Sequence, residues 1–361
     1  MNQALQHCLI EALKSHGIAF GHWKSNAQAA GGALELLVER AQAQQFEQAL
    51  ARLGFKRAIE PLGTVPPSIA HFYGLDQATG ALLHVHVQYR VIAGESLLEN
   101  DRATAAQRAG LFLRRAARRL RGAGQSKQLA SGGALIAFVG PEATGKSTLV
   151  HETAGWLGGT FEVATAHLGK PPSTWLTFLP NLALPLLRQA APQQRMSRVA
   201  GAPETPGRVS LLYAVRSVLL AWDRRALATR VRRRAAAGGL VICDRYPSPI
   251  VGAMDSARLK PADRPGRKSR LLGLLAALEN RIYRQMPPPD LVIRLTVPVE
   301  VALQRNKDRI KKGKEADEYV LRRHTMAVVP TYPTAKTIEV DSNQPRSQTI
   351  QNVRQVIWEY L

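Results

Sequence analysis

The sequence predicts an α/β protein in two parts, the second of which is a doubly wound parallel sheet. Three observations support this fold class. An apolar strand at 135–139 runs into a glycine-rich loop and then a helix, strands and amphipathic helices alternate after it, and a Gly/Ser-rich segment precedes it. The chain has 361 residues, enough for two hydrophobic cores. We therefore predict an N-terminal domain at 1–121, a linker at 122–132 and a C-terminal domain at 133–361.

The N-terminal part mixes helices and strands. Its apolar spacing predicts a helix at 2–16, strands at 20–23 and 33–38, and a helix at 41–53 that ends before Gly54. The segment 82–91 alternates strictly, with His84 and His86 on one side and apolar residues on the other. This alternation is typical of a strand with one buried face. The N-terminal domain is therefore predicted to be α/β.

The C-terminal part alternates strands and helices regularly, which predicts a parallel sheet. The strands are expected at 135–139, 162–165, 240–243, 291–295 and 337–340. The helices are expected at 146–157, 208–236 with a break, 271–285, 298–310, 317–324 and 347–360. This order places the glycine-rich loop at the carboxyl end of the first strand of the sheet, where open α/β sheets bind ligands.

The loop Gly140-x-x-x-x-Gly145-Lys146-Ser147 is the P-loop pattern, here between a strand and a helix. Backbone N–H groups of such a loop surround a nucleotide phosphate, the lysine reaches the β- and γ-phosphates, and the serine hydroxyl binds Mg²⁺. The helix directs its positive end at the same anion. We predict a site for ATP or GTP with these residues: Gly140, Glu142, Thr144, Gly145, Lys146, Ser147 and Thr148.

A second strand, Leu240-Val-Ile-Cys-Asp244, ends in a carboxylate. In P-loop enzymes a carboxylate at this place holds Mg²⁺ beside the β- and γ-phosphate oxygens. An acid that merely caps a loop is the alternative. Together with the P-loop, the pattern predicts that Ser147 and Asp244 form the metal site.

The charge of the chain favours an acidic partner. The formal net charge is +22, and residues 114–121 read Arg-Arg-Ala-Ala-Arg-Arg-Leu-Arg. We interpret Arg114–Arg121 as a solvated connecting helix, with contact to an anionic membrane surface as the sharper alternative. A nucleic-acid partner is disfavoured, because aromatic residues make up 6% of the chain and none interleaves with the basic runs.

Composition also indicates a cellular compartment. The chain has two cysteines, Cys8 and Cys243, and the second lies within an apolar strand. A structural disulfide is therefore not expected, which favours the reducing cytoplasm. We find no signal-peptide pattern and no stretch of about 18 apolar residues that would predict a spanning helix. The oligomeric state is left open, with a homodimer as one option.

Three motifs together resemble the thymidylate kinases. They are Gly-Pro-Glu-Ala-Thr-Gly-Lys-Ser-Thr at 140–148, Asp-Arg-Tyr at 244–246 and Pro-Asp-Leu-Val-Ile-Arg-Leu-Thr-Val-Pro at 289–298. The resemblance covers about residues 133–361 and implies a nucleoside-monophosphate-kinase fold. It implies phosphoryl transfer from Mg-ATP to an acceptor phosphate. It also implies that Glu142 lies near the substrate sugar and that Arg245 approaches the acceptor.

The same resemblance implies a basic lid over the active site. The segment 305–314 reads Arg-Asn-Lys-Asp-Arg-Ile-Lys-Lys-Gly-Lys. The P-loop has Ala143 and no arginine of its own, which fits the version of the family whose catalytic arginine comes from the lid. Guanidinium groups bind phosphate in a bidentate manner, so Arg305 and Arg309 are the preferred candidates. With Lys146, Asp244 and Arg245 they complete the predicted catalytic set.

The chain departs from that family on the acceptor side. Thymidylate kinases carry Arg-Glu-Pro-Gly after the second strand, whereas this chain has Thr-Ala-His-Leu-Gly-Lys-Pro-Pro at 165–172. Arg216, Arg224 and Arg225 compete for the role of the substrate arginine on the next helix. A closer resemblance is to thymidylate-kinase-like proteins of bacterial surface-polysaccharide loci, whose acceptors are largely undefined. The acceptor is therefore left open as a nucleoside monophosphate or another small phosphorylated or sugar compound.

The N-terminal domain resembles the nucleotidyltransferases, on His22-Trp-Lys-Ser-Asn, Gly-Gly-Ala33-Leu-Glu35-Leu-Leu-Val and the following helix. Active members hold two metal ions with alternating carboxylates. Here Ala33 replaces the first carboxylate, and His84 and His86 stand where a third would be expected. We interpret this domain as degenerate, serving in binding or as a scaffold. The alternative hypothesis for the whole chain is an ATP-binding regulatory or scaffold module at a membrane or polysaccharide-assembly site.

Overall fold

The computed structural model describes residues 3–22, 33–60, 68–90, 126–178, 211–259, 267–308, 316–325 and 328–361. The chain divides into two compact units. Unit 1 comprises Met1–Gly133, Trp156–Glu162 and Arg354–Leu361, and unit 2 comprises Ala134–Gly155 and Val163–Val353. The predicted limits 1–121 and 133–361 refer to sequence domains and stay a prediction.

Unit 1 contains a mixed sheet with the strand order β1-β2-β5-β4-β3-β6. Only the β2–β5 pair is parallel among these described strands. Helix α1 precedes β1, and helix α2 follows β2. The elements are α1 (Gln3–Ser15), β1 (Phe20–His22), β2 (Leu34–Glu39), α2 (Ala43–Arg52), β3 (Lys56–Ile59), β4 (Ile69–Leu75), β5 (Leu82–Arg90) and β6 (Gln128–Leu129).

The alternation on β5 explains how this sheet packs. Val85 and Val87 are fully buried in a core with Leu9 of α1 and Phe46 of α2. The intervening His84 and His86 lie half-buried on the other face. The predicted strands at 33–38 and 82–91 are confirmed to within one residue. The sequence did not predict β3 and β4, because neither segment alternates clearly.

Unit 2 is built on a five-stranded sheet with the order β11-β10-β7-β9-β8, in which every pair is parallel. This confirms the predicted parallel α/β fold. Helices connect the strands, as parallel pairing requires. The elements that lie wholly or mainly in this unit are β7 (Ala134–Val139), α3 (Lys146–Gly158), β8 (Val163–His167), α4 (Leu211–Ala236), β9 (Leu240–Asp244), α5 (Arg267–Arg284), β10 (Leu291–Thr296), α6 (Val299–Lys307), α7 (Asp317–His324), β11 (Lys336–Asp341) and α8 (Arg346–Tyr360).

The five predicted strands of unit 2 are confirmed, with small shifts at their ends. One prediction is wrong: α4 is a continuous helix of 26 residues, without the expected break. It contains neither glycine nor proline. The apolar period is interrupted there by the buried polar residues Asp223 and Arg224, which bond to neighbouring segments instead of ending the helix.

Two composition-based expectations also have a structural outcome. Cys8 and Cys243 are both free, the first exposed and the second buried. Burial raises the pKa of the Cys243 thiol well above its ordinary value. None of the helices in the described part of the chain combines the length and the apolar character that crossing a membrane requires.

Candidate active site

The P-loop joins the central strand β7 to helix α3 in unit 2. Gly140 has φ +142°, and a Cβ atom there would lie 2.5 Å from the carbonyl oxygen of Leu295 on β10. Gly145 has φ +88°, directly before the helix begins. Both positions require glycine, since L side chains rarely adopt this conformation and Gly140 has no space for one. The requirement for glycine at these two positions explains why the P-loop forms where the sequence predicted it.

Lys146 is buried in this loop, at 6% exposure. Its Nζ donates to the carbonyl oxygen of Pro141, and to the hydroxyl of Thr144 at 3.3 Å. Burial lowers the pKa of Lys146 from 10.5 to about 8, against the opposing effect of Glu142. The ammonium thus lies in a poorly solvated place, and a phosphate anion would stabilise its charged form.

Ser147 and Asp244 meet as the sequence predicted. The Ser147 hydroxyl donates to Oδ2 of Asp244 at 2.6 Å, which brings the first turn of α3 to the end of β9. The other carboxylate oxygen, Oδ1, is buried and has no hydrogen-bond partner among the described residues. A buried, unpartnered carboxylate oxygen beside a hydroxyl is a donor set that suits a hard cation such as Mg²⁺. The residues present therefore fit the implied metal.

A group of charged side chains lies beside the P-loop, centred on Arg245. Its guanidinium donates to both oxygens of Glu142, at 2.7 and 2.9 Å, and to Oδ2 of Asp255 at 3.2 Å. Burial by itself would raise the pKa of either acid, but the charges of Arg245 and of the neighbouring basic side chains together outweigh burial and lower both pKa values. Both carboxylates are therefore ionised at neutral pH. We call Glu142, Asp255, Arg224, Arg245 and Arg323 the charged cluster.

Arg224 is the member of this cluster that binds main-chain oxygens of the neighbouring loops. It is 1% exposed, and its guanidinium donates to the carbonyl oxygens of Leu168 at 3.0 Å and Asp255 at 2.8 Å. It also donates to the hydroxyl of Tyr283 at 2.6 Å. The sequence left Arg216, Arg224 and Arg225 as alternatives. The structure places Arg224 in the cluster as a positioning residue that holds main-chain oxygens, whereas the guanidinium of Arg225 lies over the ring of Trp222.

The end of β8 and the loop after it carry His167 and Gly169 where the family resemblance led us to expect Arg-Glu-Pro-Gly. His167 pairs with Asp244 across the sheet, and its Nδ1 accepts the N–H of Gly169 at 3.1 Å. Burial lowers the pKa of His167, so its ring is neutral at physiological pH. A Cβ atom on Gly169 would lie 2.5 Å from Cδ of Arg245. This loop therefore closes against the charged cluster, and only glycine leaves room for the arginine.

Arg323 is a site residue that sequence reasoning missed. It lies in the last turn of α7, is 5% exposed, and places Nη2 3.7 Å from Oε1 of Glu142. Asp255 was also missed, because it lies in a loop after β9 with no recognisable pattern. The run Arg-Arg-His at 322–324 was the only available signal for Arg323, and it resembles an ordinary basic helix end.

The two predicted lid arginines have different outcomes. Arg305 lies on α6, and its guanidinium donates to the carbonyl oxygen of Ser342 at 2.8 Å. The described contacts therefore place it against the segment after β11 and not at the charged cluster. Arg309 lies outside the described residues. Thr148 is exposed on the first turn of α3. The catalytic roles of Arg305 and Arg309 and the nucleotide-binding role of Thr148 stay predictions.

The N-terminal candidates do not form a second site among the described residues. Glu35 lies beside His86 on neighbouring strands, with 3.9 Å between Oε1 and Nδ1. Within the described ranges, no group of three or more metal-ligating side chains is arranged to hold an ion. Arg114–Arg121 lies outside these ranges, so contact with a membrane stays a prediction. So does the nucleotidyltransferase-like interpretation of unit 1.

Comparison with known proteins gives similarity to kinases at low identity. The chain is 27% identical over 232 residues to the uncharacterized ATP-binding protein YghR of Escherichia coli K12, covering 62% of this chain and 86% of that protein. It is 27% identical over 253 residues to the thymidylate kinase of a Cyanothece species, covering 63% and 95%. The thymidylate kinase structure from Candida albicans aligns at 17% identity with a TM-score of 0.39, covering 64% and 94%. No protein-family model matches the chain.

Proposed function

We propose that this protein transfers the γ-phosphoryl group of Mg-ATP to a small acceptor. The observation that carries the proposal is the meeting of Ser147 and Asp244 at the P-loop, with a buried carboxylate oxygen left without a partner. A phosphate loop alone supports nucleotide binding. The added metal-binding pair supports chemistry on the phosphates, because a divalent cation neutralises the charge that develops there.

Each residue of the P-loop has a role that follows from its position. The backbone N–H groups of 140 and 142–145 hold the phosphates, and Lys146 supplies a charge to the β- and γ-phosphate oxygens. Ser147 and Asp244 would hold Mg²⁺, which supplies charge stabilisation when bound. The side chains are positioned before the substrate arrives, which reduces the reorganisation that transfer requires.

The acceptor in this proposal binds at the charged cluster. Arg245 lies between Glu142 and Asp255, so this surface offers a cation for a phosphate and carboxylates for sugar hydroxyl groups. Similarity to proteins named thymidylate kinase makes dTMP the first acceptor to test. The changed loop at 167–170 extends the candidates to other nucleoside monophosphates and to sugar phosphates or sugars.

An acceptor screen tests the proposal. The full chain would be incubated with Mg-ATP and a panel of nucleoside monophosphates, sugar phosphates and free sugars, with ADP release and phosphorylated product both measured. We expect one class to be phosphorylated, and Lys146→Ala and Asp244→Asn to lower the rate by at least about 100-fold. Lys14→Ala, an exposed lysine on α1, is the matched control. Absence of product from every acceptor, with Lys146→Ala equal to the wild type, would refute the proposal.

We further propose the cytoplasm as the location, because both cysteines of the chain are free thiols. Cell fractionation followed by thiol labelling tests this. We expect the protein in the cytoplasmic fraction with both thiols reduced. Recovery from an oxidising compartment with blocked thiols would contradict it.

A further inference from the structure

We propose that Arg323 binds the phosphoryl group during its transfer, in the role that the sequence assigned to Arg305 or Arg309. This inference rests on the proposed phosphoryl transfer. It concerns a residue on α7 that lies outside the P-loop and outside the strand that ends at Asp244. It also identifies which of the buried arginines keeps hydrogen-bond donors available for a phosphate.

The first argument is the state of the Arg323 guanidinium. The side chain is 4% exposed, yet its Nη2 lies 3.7 Å from Glu142 Oε1 and 3.9 Å from Asp255 Oδ2, beyond ordinary hydrogen-bond length. Its Nε is buried with no hydrogen-bond partner among the described residues. A buried Nε–H group without a hydrogen-bond partner carries a desolvation cost, which an incoming anionic oxygen would remove. A phosphoryl group offers several such oxygens.

The second argument comes from the other guanidinium groups. Arg245 donates to two carboxylates at 2.7 to 3.2 Å. Arg224 donates to the carbonyl oxygens of Leu168 and Asp255, in the loops after β8 and β9. Arg305 donates to the carbonyl oxygen of Ser342. These three already donate to protein oxygens at hydrogen-bond distance, so a phosphate that binds any of them would have to replace one of those oxygens. Arg323 therefore is the described cation of the charged cluster with the weakest internal bonding.

The third argument is the rigidity of its position. The neighbouring His324 donates from Nε2 to the carbonyl oxygen of Glu142 at 2.8 Å, which ties α7 to the P-loop. Val320, one turn earlier, is fully buried in an apolar cluster with Ala143 of the same loop. Helix α7 is thus fixed to the loop on both sides of Arg323. A donor held in this way stabilises developing charge without reorganising first.

The step itself needs no other reagent. The bond between the γ-phosphorus and the β–γ bridging oxygen breaks, and ADP leaves with the electron pair. A bond forms between the phosphorus and an acceptor oxygen. If the acceptor oxygen belongs to a hydroxyl group, its proton goes to solvent. Arg323 keeps its own protons and donates hydrogen bonds to the equatorial oxygens, where negative charge is spread.

The test compares Arg323→Gln and Arg323→Lys with Arg322→Gln, a variant of the adjacent residue that leaves the cluster intact. Steady-state kinetics gives kcat and KM for ATP. Binding of Mg-ADP is measured with and without aluminium fluoride, which mimics the phosphoryl group in transit. We expect Arg323→Gln to lower kcat about 100- to 1000-fold, with KM for ATP and the Kd for Mg-ADP changed less than about threefold. The tightening by aluminium fluoride should be lost.

Arg323→Lys keeps the charge and should retain part of the wild-type kcat and part of the tightening by aluminium fluoride. This variant keeps the test informative if Arg323→Gln fails to fold. The inference is overturned if Arg323→Gln keeps the wild-type kcat and the wild-type response to aluminium fluoride. It is also overturned if Mg-ADP affinity and melting temperature fall together with kcat, since that pattern shows a structural role. A wild-type chain that phosphorylates no acceptor and does not respond to aluminium fluoride would instead refute the proposed function.

Discussion

The buried lysine of the P-loop should make two properties depend on pH. As the pH rises above about 8, the free energy of unfolding should increase and the affinity for ATP should decrease. The pKa of Lys146 falls from 10.5 to about 8 because the side chain is buried. A difference of about 2.5 in pKa corresponds to about 3 kcal/mol, at about 1.4 kcal/mol for each unit. The unfolded chain keeps this proton up to about pH 10.5, whereas the folded chain releases it near pH 8. The stability that this group contributes therefore rises with pH between those two values.

Nucleotide binding should follow the opposite course. In the proposed site the phosphates of ATP bind the charged ammonium, so deprotonation of the free protein above pH 8 should weaken ATP binding by up to about tenfold per pH unit. ATP contributes no titration there, because the second pKa of a phosphate monoester is near 6.

Two sets of measurements from pH 7 to pH 10 check this reasoning. Urea unfolding of the wild type and of Lys146→Met gives two stability curves, and other titrating groups cancel in their difference. That difference should change by about 2 to 3 kcal/mol, with Lys146→Met the more stable at pH 7. Calorimetric ATP titrations of the wild type should show the loss of affinity above pH 8. A flat difference curve together with constant ATP affinity would refute the reasoning.

Three further substitutions test other features. Gly169→Ala should lower kcat/KM at least about tenfold, because the new Cβ would lie 2.5 Å from Cδ of Arg245. The control is Gly155→Ala, whose Cβ would have no atom within 4 Å. Equal kcat/KM values for the two variants would contradict the crowding argument. Trp358→Phe removes the indole N–H that donates to the Gly54 carbonyl oxygen at 3.0 Å. Urea titrations should then show a free energy of unfolding lower by about 1 to 2 kcal/mol. An unchanged urea midpoint would show that this hydrogen bond contributes nothing. Glu35→Gln in the full chain should leave phosphoryl transfer within about twofold of the wild type in the same ATP assay, and nucleotidyl transfer that disappears in this variant would show that the N-terminal domain is catalytic.

The sequence predicted those parts of the site that depend on local backbone geometry. Gly140, Gly145 and Lys146 follow from a loop whose conformation requires glycine, and Asp244 follows from an apolar strand that ends in an acid. Parallel strands end at one edge of a sheet, so these two motifs had to meet. The same reasoning predicted the parallel sheet of unit 2 from the order of its elements.

The remaining site residues depend on contacts between distant segments. Asp255 follows β9 in a loop without a pattern, and Arg323 lies 181 residues after Glu142 and meets it only because α7 packs on the P-loop. Arg224 could not be separated from Arg225 by sequence, since adjacent helix positions differ only in which one faces inwards. Arg305 was proposed from the lid that the family resemblance implies and from the bidentate binding of phosphate by guanidinium groups, and neither argument gives the direction of its side chain, which donates to the Ser342 carbonyl oxygen.

The bonds of Arg224 have a consequence for how enzymes of this kind diverge. Its guanidinium holds the main-chain oxygens of Leu168 and Gly169 after β8, and that of Asp255 after β9. One side chain thus anchors two loops through atoms that every amino acid possesses. The outward-facing side chains on those loops can be exchanged while the backbone path stays in place. Under the proposed function, new acceptor preferences would therefore arise by point substitution at positions such as His167 and Lys170, without rebuilding the framework that brings Arg245 to the phosphate loop.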